Sequence, residues 1–508
     1  MSSASQQASP SASTRDPIPG FKGGVNIAAA QDELASDQCR GLTNMILDEN
    51  GGASKRLGII PISSPGARII SMYVFYRGAA LGPQVLVHLA NGNFRYSNDN
   101  GATWKTAVAS MSTINPMSWE TFNGKCYMVN GVDPYQVWDG SAASVIPSAP
   151  VGKYLRVWKD TMWVAGTNDD RVYSSDPGNA EVYTTGNWVD LGKGDGDTVV
   201  GLATDGNVLI VPKRKRGFLI YDPTTFANRM FDPDKGAESH NSFVHFDQAL
   251  YYMSRIGICI FLGDSPSQVI SDNIAPIFQP EVINFNLTNL VWGYTQDNRI
   301  GWAVPEAGAG LPTLQIELLP RGEKKPFTFH RVNVGCFATL RTAQIERLLA
   351  GGTVANKLYG TFEGPDDDGA VYPGVIETKW FSLDDTLVVK YLRRIILTGR
   401  GTFYMGILTD YESEIKTSRL LDLSEFQSVW NGVGDVWGDE KWGPAATLSS
   451  TPIHPDIYGR AFSFRFSDVA SGVQAQAIDV ADVDYQIQRG SWSLYSGLME
   501  VIGMGTDL

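Results

Sequence analysis

FNGKCYMVNGVDPYQVWDG, residues 122–140, is the stretch from which the fold is read. It opens on an aromatic residue and an Asn-Gly pair. An apolar strand follows, then a polar loop, then a second apolar strand that ends in an aromatic beside an aspartate. Asn-Gly between apolar runs is a strong hairpin signal, because both turn positions need positive φ. The pattern recurs in WKDTMWVAGTNDDRVYSSD from Trp158, TDGNVLIVPKRKRGFLIYD from Thr204 and FDQALYYMSRIGICIFLGD from Phe246. The steps between these copies are 36, 46 and 42 residues (122 to 158, 158 to 204, 204 to 246). A period of roughly 40–50 residues is that of a four-stranded propeller blade. One such sheet cannot bury both faces alone, and copies arranged around an axis bury each other. The alternative is an irregular β-sandwich with chance hairpins.

Outward from the tight copies the repeat loosens. YRGAALGPQVLVHLANGNFRYSND from Tyr76 reads as the first copy and YTQDNRIGWAVPEAGAGLPTLQIELLP from Tyr294 as a later one. KLYGTFEGPDDDGAVYPG from Lys357 reads as the last. The expectation is an all-β chain with a β-propeller of six to seven blades over residues 61–375. Composition agrees: 53 Gly, 26 Pro and many aromatics (13 Trp, 20 Tyr, 22 Phe) accompany only 19% charged residues, the mix of short strands and tight turns. Within the first copy, SNDNGATW fits the pattern S-x-D-x-G-x-T-W at Ser97, Asp99, Gly101, Thr103 and Trp104. It resembles the Asp-box of sialidases and related propellers. The resemblance implies a turn device, with Ser97 and Asp99 bonding the backbone, Gly101 supplying an unusual φ and Trp104 tucked beneath.

Beyond Val375 the repeat stops. GVIETKWFSLDD, VVKYLRRIILTGRG, TFYMGILTD and YGRAFSFRFSD read as strands of an antiparallel β-sandwich over residues 376–508. Phe462, Phe464 and Phe466 alternate with Ser463 and Arg465, which places three rings on one face. VWNGVGDVWGDEKWGPA carries Trp430, Trp437 and Trp442, either as a loop folded over the sandwich or as interface anchors. Ahead of the propeller, residues 1–15 read as a disordered tail rich in Ser, Ala and Gln, without the features of a signal peptide. Residues 16–60 read as an arm with helical stretches at Asn26–Leu34 and Asp37–Met45. The arm is thin in hydrophobics and is expected to pack on something else, such as a neighbouring copy in a ring.

The chemistry-bearing residues are mostly accounted for by turns. Net charge is −13, unlike a DNA-coating surface, though an acidic lumen along which DNA slides remains compatible with it. Cys39, Cys126, Cys259 and Cys336 are widely spaced, which argues against a disulfide framework or zinc site. No apolar run reaches the length of a membrane span. No catalytic, cofactor or metal residues are expected. Asp169-Asp170, Asp366-Asp367-Asp368 and Asp384-Asp385 lie in turn-like sequence. His88 and His245, in apolar strands, read as satisfied core residues. One basic cluster, Lys213, Arg214, Lys215 and Arg216, sits at a hairpin tip. It reads either as a solvated turn or as a contact for DNA or an acidic neighbour.

Two stretches carry a family resemblance. The arm has Gly23-Gly24-Val25-Asn26, then Asn44 to Asp48, Gly51-Gly52 and Lys55-Arg56-Leu57-Gly58. The second stretch is GVIETKWFSLDD followed by KYLRRIILTGRG. Together they resemble the tail hub or nozzle proteins of short-tailed bacteriophages, of the tail tubular protein B or packaged-DNA stabilisation type. The resemblance implies a homo-oligomeric, hexameric ring in the virion tail, assembled in the host cytoplasm. The ring would extend the DNA channel below the portal-adaptor, retain packaged DNA and permit its ejection. Implied partners are copies of itself, the portal-adaptor protein, tail fibre or spike proteins, and packaged DNA in transient contact. The single Asp-box keeps open a glycan-acting or glycan-binding propeller, with Glu120 and Asp139 as the carboxylates to test. A receptor-binding tail spike is the third reading.

Overall fold

The computed structural model describes residues 13–78, 81–167, 170–382, 387–423, 449–468 and 493–503. The chain divides into two compact units. One comprises residues 57–320 and 330–368; the other comprises residues 1–56, 321–329 and 369–508.

The first unit is a seven-bladed β-propeller. Blades one to five are four-stranded sheets whose strands follow in sequence from Ile69–Tyr76 to Ser265–Val269. Blade six runs Trp292–Gln296, Arg299–Pro305, Pro312–Leu318 and Phe327–Arg331, with the boundary between units falling inside its last strand. Blade seven takes Val334–Arg341, Glu346–Gly352 and Leu358–Thr361. Its fourth strand is Ile59–Ser63, from the start of the unit, paired antiparallel with Leu358 opposite Ser63 and Thr361 opposite Ile59. One blade built from both ends of the unit ties the ring shut, so the edge of the last sheet is covered.

The recurring hairpin of the sequence is the second and third strand of each blade, as in Lys125–Val129 paired with Gln136–Trp138. Each copy opens on the tight turn leading into the second strand. Asn123 and Gly124 take φ of 46° and 73°, and Lys159 and Asp160 take 47° and 55°. Positive φ at both central residues matches the right-handed twist of the flanking strands. Second strands are mostly apolar because both their faces meet a neighbouring blade: Thr161–Ala165 and Arg299–Pro305 are buried at every position. Buried clusters join the blades around the ring. Met128 and Trp138 pack with Phe75 and Leu86, Met162 and Val164 with Tyr127, and Leu209 and Val211 with Trp163. Val334 and Phe337 of blade seven share a cluster with Trp292 of blade six and Val85 of blade one.

The second unit is all-β. One sheet has the order Ser449–Ile453, Lys390–Arg400, Ser493–Gly503, Ala53–Lys55, Met45–Leu47. Another path runs Gln38–Thr43, Val375–Thr378, Phe462–Ser467, Thr402–Thr409, Thr417–Asp422. Phe462, Phe464 and Phe466 are all fully buried, with Phe466 meeting Phe403 edge-on at 6.0 Å between ring centres.

Several expectations are corrected. The helices anticipated at Asn26–Leu34 and Asp37–Met45 do not form; Gly24–Val25, Gln38–Thr43 and Met45–Leu47 are strands. The Asn26 carboxamide accepts from the Ala28 and Ala29 N–H groups, which holds a turn where the alanines alone favour helix. Residues 16–56 do not wait for a neighbour: Leu42 pairs with Ile376 within the chain's own sheet. The end of that segment, Ile59–Ser63, belongs to the propeller. The last repeat does not begin at Lys357; blade seven begins at Val334. Trp430, Trp437 and Trp442 lie outside the described residues, as do Asp169, Asp384 and Asp385.

Candidate axial site of the propeller

Residues at or just ahead of the first strands of blades two to six line one cavity inside the ring. They come from stretches far apart in sequence: Asn115–Ser118 of blade two, Lys153 and Tyr154 of blade three, Val200 of blade four, Glu238–Asn241 of blade five and Asn286–Asn289 of blade six. Arg214, between the second and third strands of blade four, joins them. They enclose a cavity of about 230 Å³.

His240 lines it and bonds to residues of two other blades. The Leu202 N–H donates to His240 Nδ1 at 3.1 Å, so Nδ1 is the acceptor and the ring proton sits on Nε2. Nε2 then donates to Ser118 Oγ at 3.1 Å, and the same Oγ accepts the Leu155 N–H at 3.1 Å. Tyr154 lies against the imidazole at 5.2 Å. Blades two and five are not neighbours, so the His240–Ser118 bond crosses the interior of the ring and blocks the axis there. Burial, together with the nearby Arg156 guanidinium, pushes the His240 pKa down to about 3. The pair resembles a nucleophile and its base but is wired the other way: the histidine donates to the serine and stays neutral, so it cannot take the serine proton.

Glu238 has a fully buried side chain. The nearest cation is the Arg255 guanidinium, 3.8 Å from Oε1. Burial raises its pKa, against the Arg214 charge, the Thr288 hydroxyl and the Arg255 charge, which lower it. Arg214 and Lys153 line the same cavity.

The four basic residues of the hairpin tip separate. Lys213 is fully buried, its ammonium donating to Asp170 Oδ1 at 2.6 Å and Asp195 Oδ1 at 2.9 Å. Arg216 pairs with Asp195 Oδ2 at 2.8 Å. The Lys215 N–H donates to Asp197 Oδ2 at 3.0 Å. These aspartates hold the turn, and Arg214 is the member left facing the axial cavity. A free basic tip offering four charges to DNA is therefore not what the loop presents.

The Asp-box forms a closed turn between the third and fourth strands of blade one. Ser97 Oγ donates to Asp99 Oδ1 at 2.6 Å and accepts the Gly101 N–H at 2.8 Å. Asp99 also accepts the Thr103 N–H at 2.9 Å and the Thr103 hydroxyl at 2.5 Å. These bonds, first those from Ser97 and Thr103, lower the Asp99 pKa to about 2. Gly101 sits at φ 92°, and a Cβ there would lie 2.4 Å from Leu358 Cδ2. The Trp104 indole N–H donates to Ser63 Oγ at 2.8 Å, so the box also pins the strand that closes blade seven.

Other candidates have framework roles. Glu120 faces Arg156 at 3.4 Å and its pKa is raised by burial. Asp139 accepts N–H bonds from Ser141 and Ala142 in an exposed turn. Asp368 pairs with Lys357 at 2.6 Å. His88 is buried, but neither ring nitrogen meets a protein partner among the described residues, so it is not a satisfied core histidine. His245 is exposed rather than core. All four cysteines are buried free thiols. Sequence reasoning missed Glu238 and His240. The available signal was the polar ESHNS run directly ahead of a first strand, the position that lines the cavity in blades two to six.

The residues of the arm that carried the family resemblance form a buried network in the second unit. Asn44 Nδ2 donates to the Pro373 carbonyl at 2.7 Å, and Arg56 Nε donates to Asn44 Oδ1 at 3.1 Å. The Arg56 guanidinium lies 3.8 Å from the centre of the Tyr372 ring, and the Tyr372 hydroxyl donates to the Arg56 carbonyl. Lys55 meets Asp468 at 2.5 Å with both side chains buried, and Asp468 also accepts the Gly374 N–H at 2.8 Å. Asp48 Oδ1 accepts the Asn50 and Gly52 N–H groups, each at 2.8 Å, closing the Gly51-Gly52 turn.

No protein-family model matches the chain, and no curated protein matches it. It is similar in structure to several solved proteins at low identity. The extracellular domain of the one-component system protein BT4673 from B. thetaiotaomicron is 10% identical, with a TM-score of 0.40 over 74% of this chain. This chain spans 57% of that protein's chain. YCF48 from Cyanidioschyzon merolae is 9% identical, with a TM-score of 0.36 over 60% of this chain and 97% of its own. BBS1N, solved in complex with ARL6DN, is 10% identical, with a TM-score of 0.41 over 60% of this chain and 96% of its own.

Proposed function

We propose that this chain is a non-enzymatic structural subunit of a short-tailed phage virion. In this reading it is a tail nozzle or hub protein that assembles as a ring below the portal-adaptor, retains packaged DNA and permits its ejection. The observation that carries the reading is where the charged residues go. Asn44, Lys55 and Arg56, which bear the family resemblance, are held in one buried network with Tyr372, Pro373 and Asp468. The candidate carboxylates and most of the basic loop hold turns, and the one histidine–serine pair is wired against nucleophilic use. Ionic groups spent on holding turns and the buried arm network suit a subunit selected for mechanical integrity. DNA would run along a lumen formed by several copies, since His240 and Ser118 block the propeller's own axis. Light scattering and negative-stain imaging of the purified chain, alone and with adaptor protein, test this. Rings are the expected result, and a strictly monomeric species under all these conditions would overturn it.

A further inference from the structure

We infer that the axial cavity is a binding site for a monosaccharide unit bearing a carboxylate, such as a uronic or nonulosonic acid at the end of a surface glycan. Three observations select this chemistry. Among the described residues, the Arg214 and Lys153 side chains make no hydrogen bond or close ion pair within the protein, and both residues line one cavity, where the Arg214 charge acts on Glu238. Two cations converging on one space favour an anionic group, and the Arg214 fork suits a carboxylate. Glu238, also lining the cavity, is fully buried and lacks a donor in full hydrogen-bond geometry. A buried carboxyl in that position calls for a hydroxyl or amide donor from the ligand.

The combination excludes simpler ligands. A bare polyanion, such as a DNA backbone, would bring charge for the cations but no hydroxyl or amide donor for Glu238. A neutral sugar would add no negative charge to a cavity in which two cationic residues share the single carboxyl of Glu238. A sugar acid satisfies both ends, its carboxylate toward Arg214 and Lys153 and its hydroxyls toward Glu238. The Asn241 and Asn289 side chains supply further amide donors and acceptors on the cavity wall, and the Tyr154 ring offers an apolar face. The volume fits as well: about 230 Å³ is the liquid share of roughly eight waters, room for one sugar ring and little more. His240 and Ser118 supply no base to the site, because the imidazole donates to the serine and its other nitrogen accepts the Leu202 N–H.

Isothermal titration of the full chain with glucuronate, N-acetylneuraminate, glucose and inorganic phosphate tests the inference. Saturable binding of at least one sugar acid, one per chain, is expected, with glucose and phosphate each at least tenfold weaker. Arg214→Ala should weaken the acid at least tenfold, and Lys153→Ala, a second exposed-side variant, should do so independently. Glu238→Gln should weaken the acid more than it weakens phosphate. The inference is overturned if neither acid binds saturably, if phosphate or glucose binds as tightly, or if the two cation variants bind like wild type. This result is independent of assembly: a monomer that binds the acid keeps this site and loses the ring.

Discussion

Replacing Lys55 with methionine tests whether the arm is part of the second unit's framework, and its effect on stability should depend on pH. Lys55 and Asp468 are 2% and 0% exposed and meet at 2.5 Å. Removing one partner of such a pair leaves a buried charge without compensation, at a cost of about 3–5 kcal/mol. Asp468 has an escape, because it can take up a proton. Its ordinary pKa is 3.8, so protonation at pH 7 costs at most about 4.4 kcal/mol at 1.36 kcal/mol per unit. At pH 5 the same ceiling is only about 1.6 kcal/mol. The sign follows from linkage. Burial already raises the Asp468 pKa, and losing Lys55 raises it further. A raised carboxyl pKa contributes stability that is complete below the unfolded value and is lost as pH rises through the folded value. Calorimetry of wild type and Lys55→Met at pH 7 and pH 5 reads the difference. The variant should lose about 3–4 kcal/mol in one transition at pH 7, roughly 10 °C for a unit of this size, and less than half of that at pH 5. Equal destabilisation at both pH values, or a loss below about 1 kcal/mol at pH 7, would refute the reasoning. Lys55→Met with Asp468→Leu should recover most of the loss, because the pair is replaced by apolar groups.

Other consequences can be measured on the same material. Ile59→Ala, in the strand that closes blade seven, should cost about 2–4 kcal/mol and promote aggregation on heating by loosening an edge, as followed by calorimetry and light scattering. His88, its pKa pushed down to about 4 by burial despite the nearby Asp133 carboxylate, should make wild type lose stability as pH falls from 6.5 through 4; His88→Leu should flatten that slope in urea titrations. Asp99→Ala should destabilise the propeller, and Asp99→Asn should remove the loss of stability that wild type shows as pH falls from 3.8 through about 2.

Local chemistry was legible in the sequence; long-range pairing was not. Four hairpins announced themselves through positive-φ turns and apolar strands, because both signals sit within a few consecutive residues. Blade seven did not, because its fourth strand, Ile59–Ser63, lies some three hundred residues from its partner Leu358–Thr361. The alanines after Asn26 suggested a helix, and only tertiary pairing together with the Asn26 side chain explains the turn and strands formed instead. At the basic loop the sequence displayed four cations but not the aspartates at 170 and 195 that bury Lys213. The axial cavity was illegible for the same reason. It is assembled from short stretches of blades two to six, and its charged residues Lys153, Arg214 and Glu238 come from three different stretches.

The most direct measurement of the central claim is the oligomeric state of the purified chain, by light scattering coupled to size-exclusion chromatography with negative-stain images of the same fractions. The account predicts closed rings, hexameric by the family resemblance, for the chain alone at high concentration or with adaptor protein. A single monomeric species across concentrations, salt and added adaptor would contradict it.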